Sequence, residues 1–135
     1  LMRVGAELVL KTVNNIFKNT FSRQKQIISD KDKLAPKIDK ELCKINLKKS
    51  SKEIVRLIKG LSPYPGAKLK FNNKYYKIID CKKTDINYSN KSIMFVENNK
   101  LYFKNFKNES IEILELQAEG KKIMKSSDFL RGNKL

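Results

Sequence analysis

Apolar residues recur along this chain in two rhythms. In residues 1 to 18, Ala6, Val9, Leu10, Val13, Ile16 and Phe17 fall at helical spacing and predict an amphipathic helix with one apolar face. No capping residue opens it, and its apolar stripe calls for a partner surface. The rhythm fades over residues 19–47, which are polar and charged. The scattered Leu34, Pro36, Ile38, Leu42, Ile45 and Leu47 predict an extended linker lying along a surface. Helical spacing returns with Ile54, Leu57, Ile58 and Leu61, behind a Ser50-Ser51-Lys52-Glu53 start in which Ser50 and Glu53 are placed to form a capping box.

Pro63 and Pro65 end this second helix, because proline lacks an amide hydrogen and pushes the preceding residue, here Ser62 and Tyr64, towards an extended shape. Gly66 supplies a permissive turn, and the spacing then changes to two. Residues 67–71, 74–82, 92–97, 100–106 and 110–117 alternate as strands do, with Asn72-Asn73, Asn98-Asn99 and Lys107-Asn108-Glu109 as turns between three of the pairs. Gly120 turns the backbone again. Ser126 or Ser127 is placed to cap a brief last helix that Gly132 stops. Five or six short strands without long open edges predict a mainly β fold with flanking helices, a small, closed or partly closed, OB-like antiparallel barrel.

Charge changes the picture most. The 135 residues carry 30 Lys and Arg against 14 Asp and Glu, a net charge of +16 that attracts polyanions, nucleic acid first among them. Lys52, Arg56 and Lys59 lie at i, i+4 and i+7 and make a basic stripe opposite the apolar face of the second helix; a solvated outer face would look the same. Lys121 and Lys122 add charge near the C-terminus. Tyr64, Tyr75, Tyr76, Tyr88 and Tyr102 could stack bases, although packing in the core or at the rim is the commoner use of such residues.

Other chemistries are poorly served. Histidine is absent, which removes imidazole bases and the usual zinc ligand sets from this chain. Cys43 and Cys81 lack CxxC spacing and read as reduced thiols of a cytoplasmic protein. No glycine-rich phosphate loop, nucleophile elbow or metal-ligand cluster is present, and no apolar run is long enough to span a bilayer. The start does not read as a signal peptide, so a soluble protein without membrane contact is expected.

Three stretches carry a more specific likeness: LAPKI (34–38), INLKKSSKEIVRLIKGLSPYPGAKLKF (45–71) and LELQAEGKKIMKSSDFLRG (114–132). In this order they resemble the linker and C-terminal domain of the methionyl-tRNA formyltransferase family, whose N-P-W-P-G junction is similar to Ser62-Pro63-Tyr64-Pro65-Gly66 here. GAELVLKTV resembles the last helix of that family's catalytic domain. The resemblance implies an enzyme that transfers a formyl group from 10-formyltetrahydrofolate to the methionine amino group on initiator tRNA, in the cytoplasm, during translation initiation. It implies no catalytic residue and no cofactor site in this chain, since the family's catalytic Asn, His and Asp and its folate pocket belong to an N-terminal domain.

The implied organisation is a remnant catalytic-domain helix at 1–18, an interdomain linker at 19–47 and the barrel domain at 48–135. The implied partners of this monomer are initiator tRNA and its own catalytic domain, with Lys52, Arg56, Lys59, Lys121 and Lys122 on the phosphates. The chain departs from the family at Asn90-Lys91 and Lys107-Asn108-Glu109, where glycine-containing turns are usual. Related C-terminal domains occur in sugar-nucleotide formyltransferases and formyltetrahydrofolate dehydrogenase, but EGKK and DFLRG favour the tRNA enzyme. A stand-alone nucleic-acid-binding barrel and a sugar-nucleotide formyltransferase are the alternatives.

Overall fold

The computed structural model describes residues 2–29, 35, 37–88 and 91–133. The chain divides into two compact units, Leu1–Pro36 and Lys37–Leu135. In the first, helix α1 (Met2–Phe17) has the expected apolar face, and none of its residues is buried. It ends where Asn19 takes a positive φ of 51° and its N–H donates to the Ile16 carbonyl at 3.1 Å. Leu34 and Pro36, two of the expected surface-lying positions, are outside the described residues.

The second unit contains α2 (Ser51–Leu61), β1 (Ala67–Phe71), β2 (Lys74–Asn87), β3 (Met94–Glu97), β4 (Lys100–Lys104), β5 (Glu109–Ala118), β6 (Met124–Lys125) and α3 (Ser126–Gly132). All strand pairs are antiparallel, in the order β1-β2-β5-β4-β3, with β6 on β5. The mainly β, OB-like class expected from the sequence is the one observed. Its sheet is open, because among the described residues no pairing joins β1 to β3. Residues 43–47, placed in a linker by sequence, lie against this sheet. Cys43 is buried, Ile45 and Leu47 pack on the core, and the Ile45 N–H donates to the Lys68 carbonyl at 2.9 Å.

The core lies between α2 and the inner face of the bent sheet. Ile54, Ile58 and Leu61 of α2 meet Leu69, Ile78, Leu101, Phe103, Ile111, Ile113 and Leu116, and Phe129 of α3 closes one side. Each such aliphatic side chain stabilises the fold by about 1.5–3 kcal/mol. Strict alternation would not let both Ile78 and Cys81, or both Ile113 and Leu116, face inward. Register shifts between Ile78 and Asp80 and between Asp80 and Cys81 resolve this, leaving Ile79 and Leu114 without register partners as Leu116, Glu115 and Ile113 pair with Ile78, Asp80 and Cys81. Extra residues at this point bend both long strands and let the sheet wrap around α2.

Local chemistry accounts for most turns. Asn72 (φ 48°) with Asn73 (φ 59°), and Asn98 (φ 48°) with Asn99 (φ 57°), occupy the two positive-φ positions of tight hairpins. Asn108 (φ 62°) does the same before β5, where the family resemblance led us to expect glycine. Three details differ from the sequence-based reading. Strand β2 runs on to Asn87, since its polar end pairs with β5 through Lys83 and Asn87. A two-residue β6 precedes α3. The cap of α3 is Lys125, without a side-chain hydrogen bond, so Ser126 is the first helical residue rather than a cap.

Helix α2 is held at both ends. Ser50 Oγ accepts from the Glu53 N–H at 3.3 Å and Glu53 Oε2 accepts from the Ser50 N–H at 3.1 Å, completing the capping box. A third acceptor comes from 58 residues away, as Glu109 Oε2 accepts from the Ser51 N–H at 2.7 Å. Buried Asn105 steadies that carboxylate with a 2.6 Å hydrogen bond and donates also to the Lys49 carbonyl at 2.9 Å. Its own Oδ1 accepts from the Lys107 and Glu109 N–H groups at 3.0 and 2.9 Å. At the other end the Gly66 N–H donates to the Leu61 carbonyl at 2.8 Å, and the Ser62-Pro63 and Tyr64-Pro65 peptides, both cis, carry the chain into β1.

Two outcomes follow from this capping. Asn105→Ala strands several polar groups at once and is expected to cost about 3 kcal/mol in a urea unfolding titration; a loss under about 1 kcal/mol would show the node to be dispensable. The Ser50 hydrogen bonds hold Glu53 down at a pKa of about 2, against an ordinary 4.5. A depressed carboxylate stabilises the fold above its unfolded pKa, and the benefit fades as pH falls towards the folded value. The melting-temperature gap between the parent and Glu53→Gln is therefore constant above about pH 5 and closes between 4.5 and 2; a gap that ignores pH contradicts the capping role.

Candidate functional site

The sheet and its caps distribute the charge unevenly. Lys44, Lys49, Lys82, Lys83, Lys91, Lys100 and Arg131 form ion pairs with carboxylates within 4 Å. None of Lys52, Arg56, Lys59, Lys121 and Lys122 has such a partner among the described residues, and all five are exposed. Ile54, Ile58 and Leu61 face the core, so the helical period turns Lys52, Arg56 and Lys59 directly outward along about 10 Å of helix axis. Lys121 and Lys122 leave a tight turn in which Gly120 (φ 71°) lets the Lys121 N–H donate to the Ala118 carbonyl at 3.0 Å. The structure thus brings the three α2 cations together and the two turn lysines together, in separate places on the surface.

A second basic feature escapes sequence reasoning, since its members are up to 37 residues apart. Lys68 is opposite Lys77 in the β1–β2 register, Lys77 is opposite Gln117 in β2–β5, and Lys44 joins Lys68 by a parallel bridge. These residues form one cross-strand row on the outer face and, with Lys40, line a groove of about 450 Å³. Like charges directly opposite each other cost stability, yet among the described residues only Lys44 of this row has a carboxylate partner, Glu41 Oε1 at 2.6 Å. That hydrogen bond, with Glu41's charge, raises the Lys44 pKa. The KLK alternation around Leu69 was the one visible trace of the row.

Gly66 is part of this surface. Its φ of 83° disfavours any L side chain, and an added Cβ would collide with the Lys77 stem, which lies across it. The glycine of the Pro-Tyr-Pro-Gly junction therefore both turns the chain into β1 and makes room for a groove lysine.

The five tyrosines separate clearly. Tyr102 is buried, stacked on Phe95 with ring centroids 5.5 Å apart and capped by Tyr88, and burial raises its pKa. Tyr76 meets Phe129 edge-on at 5.9 Å. Tyr64 and Tyr75 remain accessible, at 87% and 38% exposure. Both cysteines are free and buried, and burial and Asp80 push the Cys81 thiol up to about 12. Among the described residues there is no group of three or more His, Cys, Asp or Glu that could hold a metal ion, and no helix long and apolar enough to cross a membrane.

Comparison with known proteins places this surface in context. Residues 37–134 match the family model described as formyl transferase, C-terminal domain. A methionyl-tRNA formyltransferase from Azobacteroides pseudotrichonymphae is 39% identical over 144 residues, covering 98% of this chain and 44% of that protein. One from Phocaeicola vulgatus is 36% identical over 142 residues, with the same coverage of both chains. The chain thus spans less than half the length of these relatives. Among solved structures, HypX from Aquifex aeolicus has a like fold, with a TM-score of 0.66 and 16% identity over 92% of this chain and 23% of that one; it has also been crystallised with tetrahydrofolic acid. The match across the whole compact unit shows that this chain belongs to the formyl transferase C-terminal domain family.

Proposed function

We propose that this chain is the tRNA-holding C-terminal part of a methionyl-tRNA formyltransferase, a cytoplasmic enzyme that moves a formyl group from 10-formyltetrahydrofolate to the methionine amino group on initiator tRNA. The observation that carries this reading is the set of surface cations without a carboxylate partner among the described residues, on a domain of this family, whose full-length relatives include methionyl-tRNA formyltransferases. Lys52, Arg56 and Lys59 meet the phosphates along α2, while Lys121 and Lys122 meet them at the β5–β6 turn. Such contacts give attraction and register rather than base reading. The folate and the formyl transfer itself belong to the catalytic domain, and no residue of this chain is assigned to them. The relatives' names weigh against a sugar-nucleotide acceptor and against a module unconnected with formyl transfer.

The test is tRNA binding by this chain across a salt series. Each phosphate contact removed lowers the slope of log affinity against log salt by about 1, so the triple change Lys52→Ala, Arg56→Ala and Lys59→Ala should flatten it by about 2 to 3. An unchanged slope would reduce the stripe to a solvated face, and salt-insensitive binding would overturn the electrostatic account.

A further inference from the structure

Tyr75 lies on the border between two cavities. One is the lysine groove described above. The other, of about 570 Å³, lies between the start of β2, the β5–β6 turn and α3, and is lined by Tyr76, Met124 and Phe129 together with Lys74, Lys121 and Asp128. Both cavities include Tyr75, Ala118 and Glu119. A partly exposed aromatic ring thus has four lysines on one side and, on the other, a recess that joins aromatic and charged side chains.

That pairing matches the two halves of a nucleotide. A base has an apolar face that stacks on tyrosine, and its phosphates carry the charge that would relieve the Lys68–Lys77 repulsion. A duplex cannot use the recess, since its bases are stacked and only its backbone is offered. We infer that Tyr75, with the Lys44, Lys68 and Lys77 row, forms a subsite for one unstacked nucleotide of a single-stranded segment, its base against Tyr75 and its phosphates in the groove. This rests on the proposed tRNA reading only for the identity of the partner, an unpaired nucleotide of the tRNA. Charge complementarity favours this occupant, because an apolar peptide would leave the lysines uncompensated.

The experiment uses this chain with a short single-stranded RNA carrying one 2-aminopurine, and with an RNA duplex of equal charge. The parent should quench the 2-aminopurine on binding. Tyr75→Ala should abolish the quench and weaken single-strand binding about tenfold, with duplex binding within twofold of the parent and an unchanged melting temperature. Tyr75→Phe, which keeps the ring, should behave as the parent, and Lys68→Ala with Lys77→Ala should weaken binding to both RNAs. Equal losses on single strand and duplex for Tyr75→Ala, or no loss on either, would overturn the stacking subsite. Those results would leave the α2 salt-slope test of tRNA binding untouched, so the two readings fail separately.

Discussion

The geometry of the second unit depends on how the first turn of α2 is satisfied. A helix start leaves four N–H groups without partners and carries the positive end of the helix dipole. Here Ser50 and Glu53 supply local acceptors, and Glu109, at the start of β5, supplies a distant negative one. The Ser51 hydrogen bond is the leading reason that the Glu109 pKa lies below the ordinary carboxylate value, and Asn105 adds to it. Because Asn105 also binds the Lys49 carbonyl and the turn before β5, the helix start and the β4–β5 corner are one hydrogen-bonded body. With its far end tied at Gly66, α2 cannot rotate about its axis without leaving polar groups unsatisfied, and the outward direction of its cations is set by the same bonds.

What could be read from the sequence was what is local. The capping box, the apolar spacing of Ile54, Leu57, Ile58 and Leu61, and the Asn-Asn hairpins act within a few residues, so their signals are intact in one dimension. Asn105 and Glu109 gave no such sign. Nothing in KNFKNES marks an asparagine that will be buried or a carboxylate that will cap a helix 58 residues away. The end of β2 was missed for a related reason: residues 83–87 are polar apart from Ile86 and pair irregularly with β5, so alternation, the usual strand signal, is absent. The α2 stripe was legible because it follows helical period, whereas the lysine groove needed the pairing register of three strands and the 43–47 segment.

Placement of the acidic residues explains why such a basic chain can fold and still present charge. Acids are spent where basic side chains crowd the β3–β4–β5 face: Glu112, almost fully buried, lies within 4 Å of both Lys82 and Lys100, and Glu97 pairs with Lys91. Removing both lysines would leave the buried Glu112 carboxylate without a compensating charge. By contrast, among the described residues Glu41 and Glu119 are the acids that line the groove around Lys68 and Lys77, and only the first makes an ion pair. Repulsion there is tolerated because the sheet beneath is fixed by Leu69, Ile78 and Leu116, all fully buried, and the cost of two facing ammonium groups at the surface is small beside that burial.

Under the proposed reading, this contrast implies different roles for the two basic regions. The α2 cations project outward from one helix, and in the proposed reading their contacts to phosphates would tolerate sliding along a backbone. The groove lysines converge from three elements, and the stem of Lys77 is confined by Gly66, which limits the positions their charges can take. Restricting donors beforehand lowers the conformational entropy lost on binding, so an anion held there is more closely positioned than one held by the stripe. The glycine after the double proline is therefore where backbone geometry and ligand geometry meet: a side chain there would displace Lys77 as well as disturb the turn into β1.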